Sequence, residues 1–420
     1  MVTRPGRSYL GSMLERPRIV PWLFAALALA GCRPEVPEGT GGTDVTPGPF
    51  GRGVFTLNTN ESYDATSASL VGVDGRVLSS TFVASGLSGD VMPPTMPSLG
   101  EEVVFIDRSY SILTWVDVRS AGVRAQLHVD GDELGRNPWD YLPVAADKAL
   151  VVRYDPWPGN AEHGDVIVVN PETADVLTEV EERIDVAAAL GLPAGYVVHP
   201  ARGVVAGERA YLITVNATPE YEYTESHLVV IDAQTDEILD AMVLPGLHDC
   251  TAVALSPDRE DLAIACSGDL QANGELSQEH AGVVIVSRAT LAEKQRFSAA
   301  QLGGGVPGFS LSYVTGDSLL VLMVGNGQAN VPDTATLVNL GTGEARDIHT
   351  AAPVQIGHVL CPRRIDGEGG PGDAPPACFV TDAERGTLHL FPVEGDDLGQ
   401  GRGIEVDDVV GLPPRYLGQF

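Results

Sequence analysis

A strand–turn–strand unit that recurs seven times, a second strand pair ahead of several copies, and a gapless internal repeat near the C-terminus predict an all-β chain. The expected fold is a seven-bladed β-propeller of four-stranded antiparallel blades. The first blade is expected to be completed by a strand from the C-terminus.

The recurring unit is an apolar alternation, a turn of Asp, Asn, Gly or Thr, and a second alternation. It appears at Ser67–Phe82, Ser111–Leu127, Gly164–Val180, Ser226–Met242, Ala281–Phe297, Asp333–His349 and Gly386–Arg402. Successive copies start 44, 53, 62, 55, 52 and 53 residues apart, a period of blade size. Short strands rich in Val, Leu and Ile precede several copies, at Asp140–Tyr154, Thr251–Cys266 and Phe309–Val324. Two such hairpins make one blade.

Closure follows from the second repeat. Ile184–Tyr196 aligns without a gap to Ile404–Tyr416. The first copy leads out of one blade into the inner strand of the next, so Tyr416–Phe420 should open a blade that the chain cannot finish. The N-terminal unit has strands near Gly53–Leu57, Ser67–Val73 and Val77–Phe82 and lacks an inner one. Joining the two ends removes both open edges.

Charge narrows the partners. The 420 residues carry 57 acids and 26 bases, a formal charge of −31, which excludes a nucleic-acid backbone as ligand. Lys148 and Lys294 are the only lysines, so no polybasic membrane patch exists. Like charge on the surface keeps such a protein soluble, and a monomer is expected.

Arg16 and Arg18 precede an apolar run, Ile19 to Gly31, that is shorter than the roughly 20 residues of a membrane span. A basic start, a short apolar core and small residues before a cut describe an export signal. Its last residues, Leu29-Ala30-Gly31-Cys32, resemble the bacterial lipobox, which implies cleavage before Cys32 and lipid attachment to it. In Gram-negative lipoproteins an Asp at the next position retains the protein at the inner membrane. Arg33 stands there, which implies the outer membrane, facing either the periplasm or the cell surface. Met13 is an alternative start. The expected organisation is a signal peptide over 1–31, a lipidated Cys and flexible Pro/Gly/Thr-rich tether over 32–51, and the propeller over 52–420.

Four further cysteines allow three pairings. Cys250 and Cys266 flank one turn, and Cys361 and Cys378 flank a Gly/Pro-rich loop, so each pair should face across a hairpin. Export favours disulfides over zinc, because neither pair has the short ligand spacing of a zinc site.

Arg209–Asn216 followed by His227–Asp232 and Thr235–Leu239 resembles the YVTN/YncE-like propeller repeats. So does His248–Asp258 with Leu262–Gly268. The resemblance covers most of residues 52–420 and is clearest in blades three to five. Together with the lipobox, the chain is similar to propeller lipoproteins of Gram-negative bacteria, whose members mostly lack an assigned activity. The resemblance implies a fold and no particular function, since propellers host enzymes, receptors and scaffolds alike. It also implies that an Asn or Asp past the second strand caps a turn, and that a His-Asp pair opening an inner strand bonds between blades.

Inner strands line the channel, which singles out Asn137, Trp139 and Asp140, then His248 and Asp249, then His358. Residues just past second strands gather on one rim: Asn58, Asp107, Arg153, Asn216, Ser267, Asn326 and Asp382. The candidate binding residues are therefore Trp139, Asp140, Arg153, Asn216, His248, Asp249, Asn326, His358 and Asp382. No catalytic residue and no metal ligand is assigned. The nine histidines show no His-x-His or His-x-x-x-His spacing, and neither a Gly-x-Ser-x-Gly elbow nor a P-loop is present. No cofactor is expected; calcium at the acidic turns Val129–Leu134 and Val393–Leu398 is the weaker alternative, since both read more simply as structural turns. The resulting expectation is a non-catalytic binding scaffold for an unknown protein or small molecule, anchored to a membrane by its lipid. The alternative is a propeller enzyme, a metal-dependent lactonase-like hydrolase or a quinoprotein-like dehydrogenase, working at the channel.

Overall fold

The computed structural model describes residues 41–130, 137–154, 164–178, 183–269, 277–327, 329–365, 370 and 373–420. The signal segment, Cys32 and residues 33–40 lie outside the described residues.

Seven antiparallel sheets are present, and no α-helix occurs among the described residues. From the axis outward, blade 1 is Pro414–Gln419, Gly53–Thr59, Thr66–Gly72 and Val77–Leu87. Blade 2 is Val91–Met92, Glu102–Asp107, Ile112–Asp117 and Val123–His128. Blade 3 is Pro138–Ala145, Lys148–Arg153, Asp165–Asn170 and Asp175–Val176. Blade 4 is Val197–Ala206, Arg209–Ala217, His227–Asp232 and Ile238–Val243. Blade 5 is Cys250–Leu255, Asp261–Ser267, Ala281–Ser287 and Glu293–Ser298. Blade 6 is Val306–Thr315, Ser318–Val324, Asp333–Asn339 and Ala345–Ala351. Blade 7 is Val359–Leu360, Ala377–Asp382, Thr387–Glu394 and Arg402–Ile404. All seven expected hairpins are found.

Each blade is sandwiched between two others, so its middle strands must be apolar on both faces. Val166–Val169 and Val283–Val286 are accordingly continuous apolar runs, and all eight of those residues are buried. Outer strands have only one covered face, and in Val123–His128 only Ala125 and Leu127 are partly covered while the rest are exposed.

The ring closes as expected. Val54, Phe55, Thr56 and Leu57 pair with Gln419, Gly418, Leu417 and Tyr416. The internal repeat has a structural meaning, because Ile184 pairs with Val166 and Ile404 with Leu388, each the second residue of a third strand. Both disulfides form as paired in the sequence reading, Cys250 with Cys266 and Cys361 with Cys378.

Residues 41–51 differ from the expected free tether, because they lie against the disc. The Thr43 N–H donates to Val118 O at 2.9 Å, and the Ile365 N–H donates to Pro49 O at 2.9 Å. Arg52, buried itself, donates to Val45 O at 2.7 Å and pairs with Glu101 at 2.8 Å. At Gly42 a Cβ would stand 1.8 Å from Arg119 O, so only glycine allows that approach.

Chain direction gives the disc two faces. Inner and third strands begin, and second and outer strands end, on what is called here the front face. Residues 41–52 contact Val118 after a third strand, Ile365 after an inner strand and Phe420, all on the back face.

Candidate functional site

Residues in and beside the inner strands border a small cavity of about 40 Å³ near the axis, among them Arg202, Phe309, His358, Arg363 and Leu417. A space of that size suits one or two waters and is too small for an organic cofactor. A larger cleft of about 320 Å³ lies on the back face between blades 2 and 3. Its Arg124 is already engaged by Glu102, by Pro171 O and by the Trp115 ring.

Several candidate residues prove to tie the blades together. Asp140 is fully buried and accepts from the N–H groups of Thr95 (2.8 Å), Tyr141 (2.9 Å) and Gly203 (2.9 Å), with Arg202 at 3.5 Å. Trp139 stacks on Tyr154 at 4.2 Å, Tyr154 stacks on His199 at 4.6 Å, and the Arg108 guanidinium lies over the Trp139 ring, 5.3 Å from its centroid. The tryptophan ring is thus engaged within the protein by a stacking partner and a cation. Arg153 is buried against Asp165 at 2.5 Å and donates to Val129 O. Asp382, Asn326 and Asp107 each accept the N–H of the third residue on, at 3.0 Å, which is the turn-capping role the resemblance implies. Asn216 bonds instead to Glu225 O and His227, Asn58 to Ser67 and Ser69, and Ser267 to Pro307 O. The acidic turn Val393–Leu398 spends its carboxylates within the protein, Asp396 on Thr315 and Asp397 on Arg346. Most of Val129–Leu134 lies outside the described residues.

His358, in the buried channel wall, accepts the Leu417 N–H at Nδ1 over 2.8 Å. That bond fixes the neutral tautomer carrying its proton on Nε2. Burial, with the Arg202 charge adding, pushes His358 down to about 3. The unfolded chain protonates its histidines near pH 6.5, so between that pH and about 3 the unfolded state binds the extra proton. This part of the stability is complete above pH 6.5 and is lost as pH falls toward 3. Urea unfolding at pH 7 and pH 4.5 is expected to show a loss of about 2–3 kcal/mol traceable to this histidine. A His358→Gln variant should show correspondingly weaker pH dependence over that range, and an unaltered dependence would contradict the assignment.

The fold also assembles two imidazole–carboxylate clusters on the front face. In blade 5, His248 precedes the inner strand, Asp269 follows the second strand and His280 precedes the third. His248 Nδ1 donates to Asp269 Oδ1 at 2.6 Å and His280 Nδ1 to Asp269 Oδ2 at 2.7 Å, and the two rings stack at 3.9 Å. Asp249, held at a φ of 51°, lies beside them. Burial, with the Asp269 carboxylate adding, pushes Asp249 up to about 7. The resemblance implied a His-Asp pair bonding between blades, whereas His248 bonds within its own blade. Between blades 6 and 7, His349 Nε2 lies 2.8 Å and His389 Nε2 3.6 Å from Asp382 Oδ2, and Arg385 also bonds Asp382. Burial raises Asp382, but the His349 and Arg385 bonds outweigh it and hold the carboxyl at about 2. His389 is lowered to about 4 by burial and by His349.

His248 and Asp382 were legible as single residues. Asp269, His280, His349 and His389 were not, because their partners come from separate strands and no short spacing marks them.

No family model matches the chain, and no curated protein matches it. Several solved structures do. A putative 6-phosphogluconolactonase from Bacteroides fragilis is 11% identical with a TM-score of 0.55, covering 87% of this chain and 97% of that one. A Pseudomonas aeruginosa periplasmic gluconolactonase, PpgL, is 15% identical with a TM-score of 0.53, covering 87% and 98%. A putative 6-phosphogluconolactonase from Bacteroides uniformis is 12% identical with a TM-score of 0.51, covering 87% and 98%. At such identities the likeness is one of architecture, and the chain is a seven-bladed β-propeller.

Proposed function

We propose that the protein is a lipid-tethered binding scaffold of the cell envelope that presents the front face of a rigid disc to its partner. The observation that carries this reading is the path of residues 41–52 along the back face, opposite both imidazole–carboxylate clusters. A chain anchored at Cys32 then has eight residues, 33–40, before the first described contact at Gly41, a reach of at most about 30 Å. That length holds the back face toward the membrane and leaves the front face accessible. The Gram-negative outer membrane and the YVTN-like lipoprotein class fit this arrangement through the lipobox and Arg33. A Cys32→Ser variant is expected to move from the membrane pellet to the soluble fraction with its thermal unfolding unaltered. Continued sedimentation with membranes would remove the anchor.

The second reading, a propeller hydrolase, is favoured by one observation. The His248–Asp269–His280 cluster sets two imidazoles against a carboxylate at a solvent-accessible rim, a grouping suited to proton transfer. Its neighbours in fold include proteins named as gluconolactonases. Turnover of a sugar lactone by the wild-type chain, lost in His280→Ala, would replace the scaffold reading with this one.

A further inference from the structure

We infer that His248, Asp269 and His280 form a binding site for one first-row divalent metal ion of zinc-like preference on the front rim of blade 5. The inference does not depend on the lipid anchor or on the scaffold reading.

Donor chemistry comes first. Two imidazole nitrogens and one carboxylate oxygen are ligands that zinc, copper, nickel and cobalt accept, whereas calcium and magnesium take oxygen. The three donor atoms all lie within 4.8 Å of one another. Around a tetrahedral ion with bonds of about 2.0–2.1 Å, donors stand roughly 3.3–3.5 Å apart. The hydrogen-bonded separations of 2.6 and 2.7 Å therefore need to open by less than about 1 Å. On binding, the single proton that each neutral imidazole holds on Nδ1 passes through solvent to Nε2, which frees the Nδ1 lone pair for the ion.

Rigidity is the second argument. The His248 N–H donates to His280 O at 3.1 Å, the Ser267 N–H to Asp249 O at 3.0 Å and the Ser277 N–H to Asp269 O at 2.8 Å. The Cys250–Cys266 disulfide joins the inner and second strands directly below. The ligands are thus fixed to one another by backbone bonds before any ion arrives, which lowers the ordering cost of binding.

Charge separates this cluster from the one between blades 6 and 7. There Arg385 already neutralises Asp382, so a dication would meet a guanidinium. At blade 5 no Lys or Arg bonds Asp249 or Asp269 among the described residues, and residues 270–276 contain neither. Two carboxylates without a countercharge attract a cation. His280 and Asp269 are each about a third exposed, which leaves the ion an entry path and an open position for water.

The test uses the protein as expressed, purified with detergent where it is membrane-bound, stripped with chelator and titrated with zinc chloride against a chromophoric competitor at pH 7.5. One equivalent is expected to bind to the wild type and to His389→Ala. His280→Ala and the near-isosteric Asp269→Asn are expected to weaken it by 100-fold or more, with thermal unfolding in the absence of zinc kept within a few degrees. Wild-type affinity in both blade 5 variants, equal loss in His389→Ala, or no bound zinc at all would each overturn the site. Displacement of zinc by millimolar calcium would overturn its chemical class.

Discussion

A chain lacking Pro414–Phe420 is expected to lose cooperative folding at 37 °C. The segment is seven residues long, yet it supplies the whole inner strand of blade 1. Leu417 and Phe420 are buried, and each contributes about 1.5–3 kcal/mol of apolar burial. Phe420 also exchanges backbone bonds with the start of the second strand, accepting from Arg52 at 2.7 Å and donating to Gly53 O at 3.1 Å. Gln419 donates to Phe50 O and accepts from the Arg363 N–H, which links the strand to residues 41–52 and to blade 7. Deletion uncovers blade 1 on its inner edge and leaves His358 without the N–H that holds it. Together these losses approach the whole stability of an ordinary domain, about 5–15 kcal/mol. The graded version is Leu417→Ala, for which a loss of about 2–5 kcal/mol is expected. Urea unfolding followed by tryptophan fluorescence and circular dichroism reads both. A truncated chain that melts in one transition at the wild-type temperature would mean that the ring is held by something other than this strand.

Closure was legible in the sequence because a blade is built from neighbours in the chain. Alternation, turn chemistry and a repeat of about fifty residues act over short distances, and they located all seven outer hairpins. Blade 2 shows the limit. Its inner strand is only Val91–Met92 and runs into Pro93 and Pro94, which cannot donate to a ladder, so no alternation remains to be read. The candidate site was less legible. His248, Asp269 and His280 are separated by 21 and 11 residues, spacings set by loop lengths rather than by a helical or strand period. Asp382 was recognisable as a turn cap, but its partner His349 belongs to the preceding blade. Side chains that meet across blades leave no local trace.

Asp140 is the residue whose role shifts furthest from ligand binding to architecture, and removing it is expected to cost about 3–5 kcal/mol. Its carboxylate joins three blades, accepting from Thr95 beyond the blade 2 inner strand, from Tyr141 in blade 3 and from Gly203 in blade 4. Arg202, 3.5 Å away, completes the buried pair and donates to Pro93 O at 2.8 Å. Asp140→Ala strands a buried guanidinium and three N–H groups. Arg202→Met instead strands the carboxylate, with a loss of similar size at pH 7. The two variants part company in acid. Burial already pushes Asp140 up, and the Arg202 charge opposes that shift, so without Arg202 the carboxyl rises further. A folded carboxyl raised above its unfolded value of about 3.9 takes up a proton on acidification that the unfolded chain does not yet bind. Relative to wild type at the same pH, the Arg202→Met deficit should therefore shrink between pH 7 and pH 5. The Asp140→Ala deficit, with no carboxyl left to neutralise, should not shrink. The double variant should cost less than the sum of the two, because neither charge remains to be stranded. Urea midpoints of the four proteins at both pH values measure all of this. Single variants within about 0.5 kcal/mol of wild type would show that the blades hold without the pair.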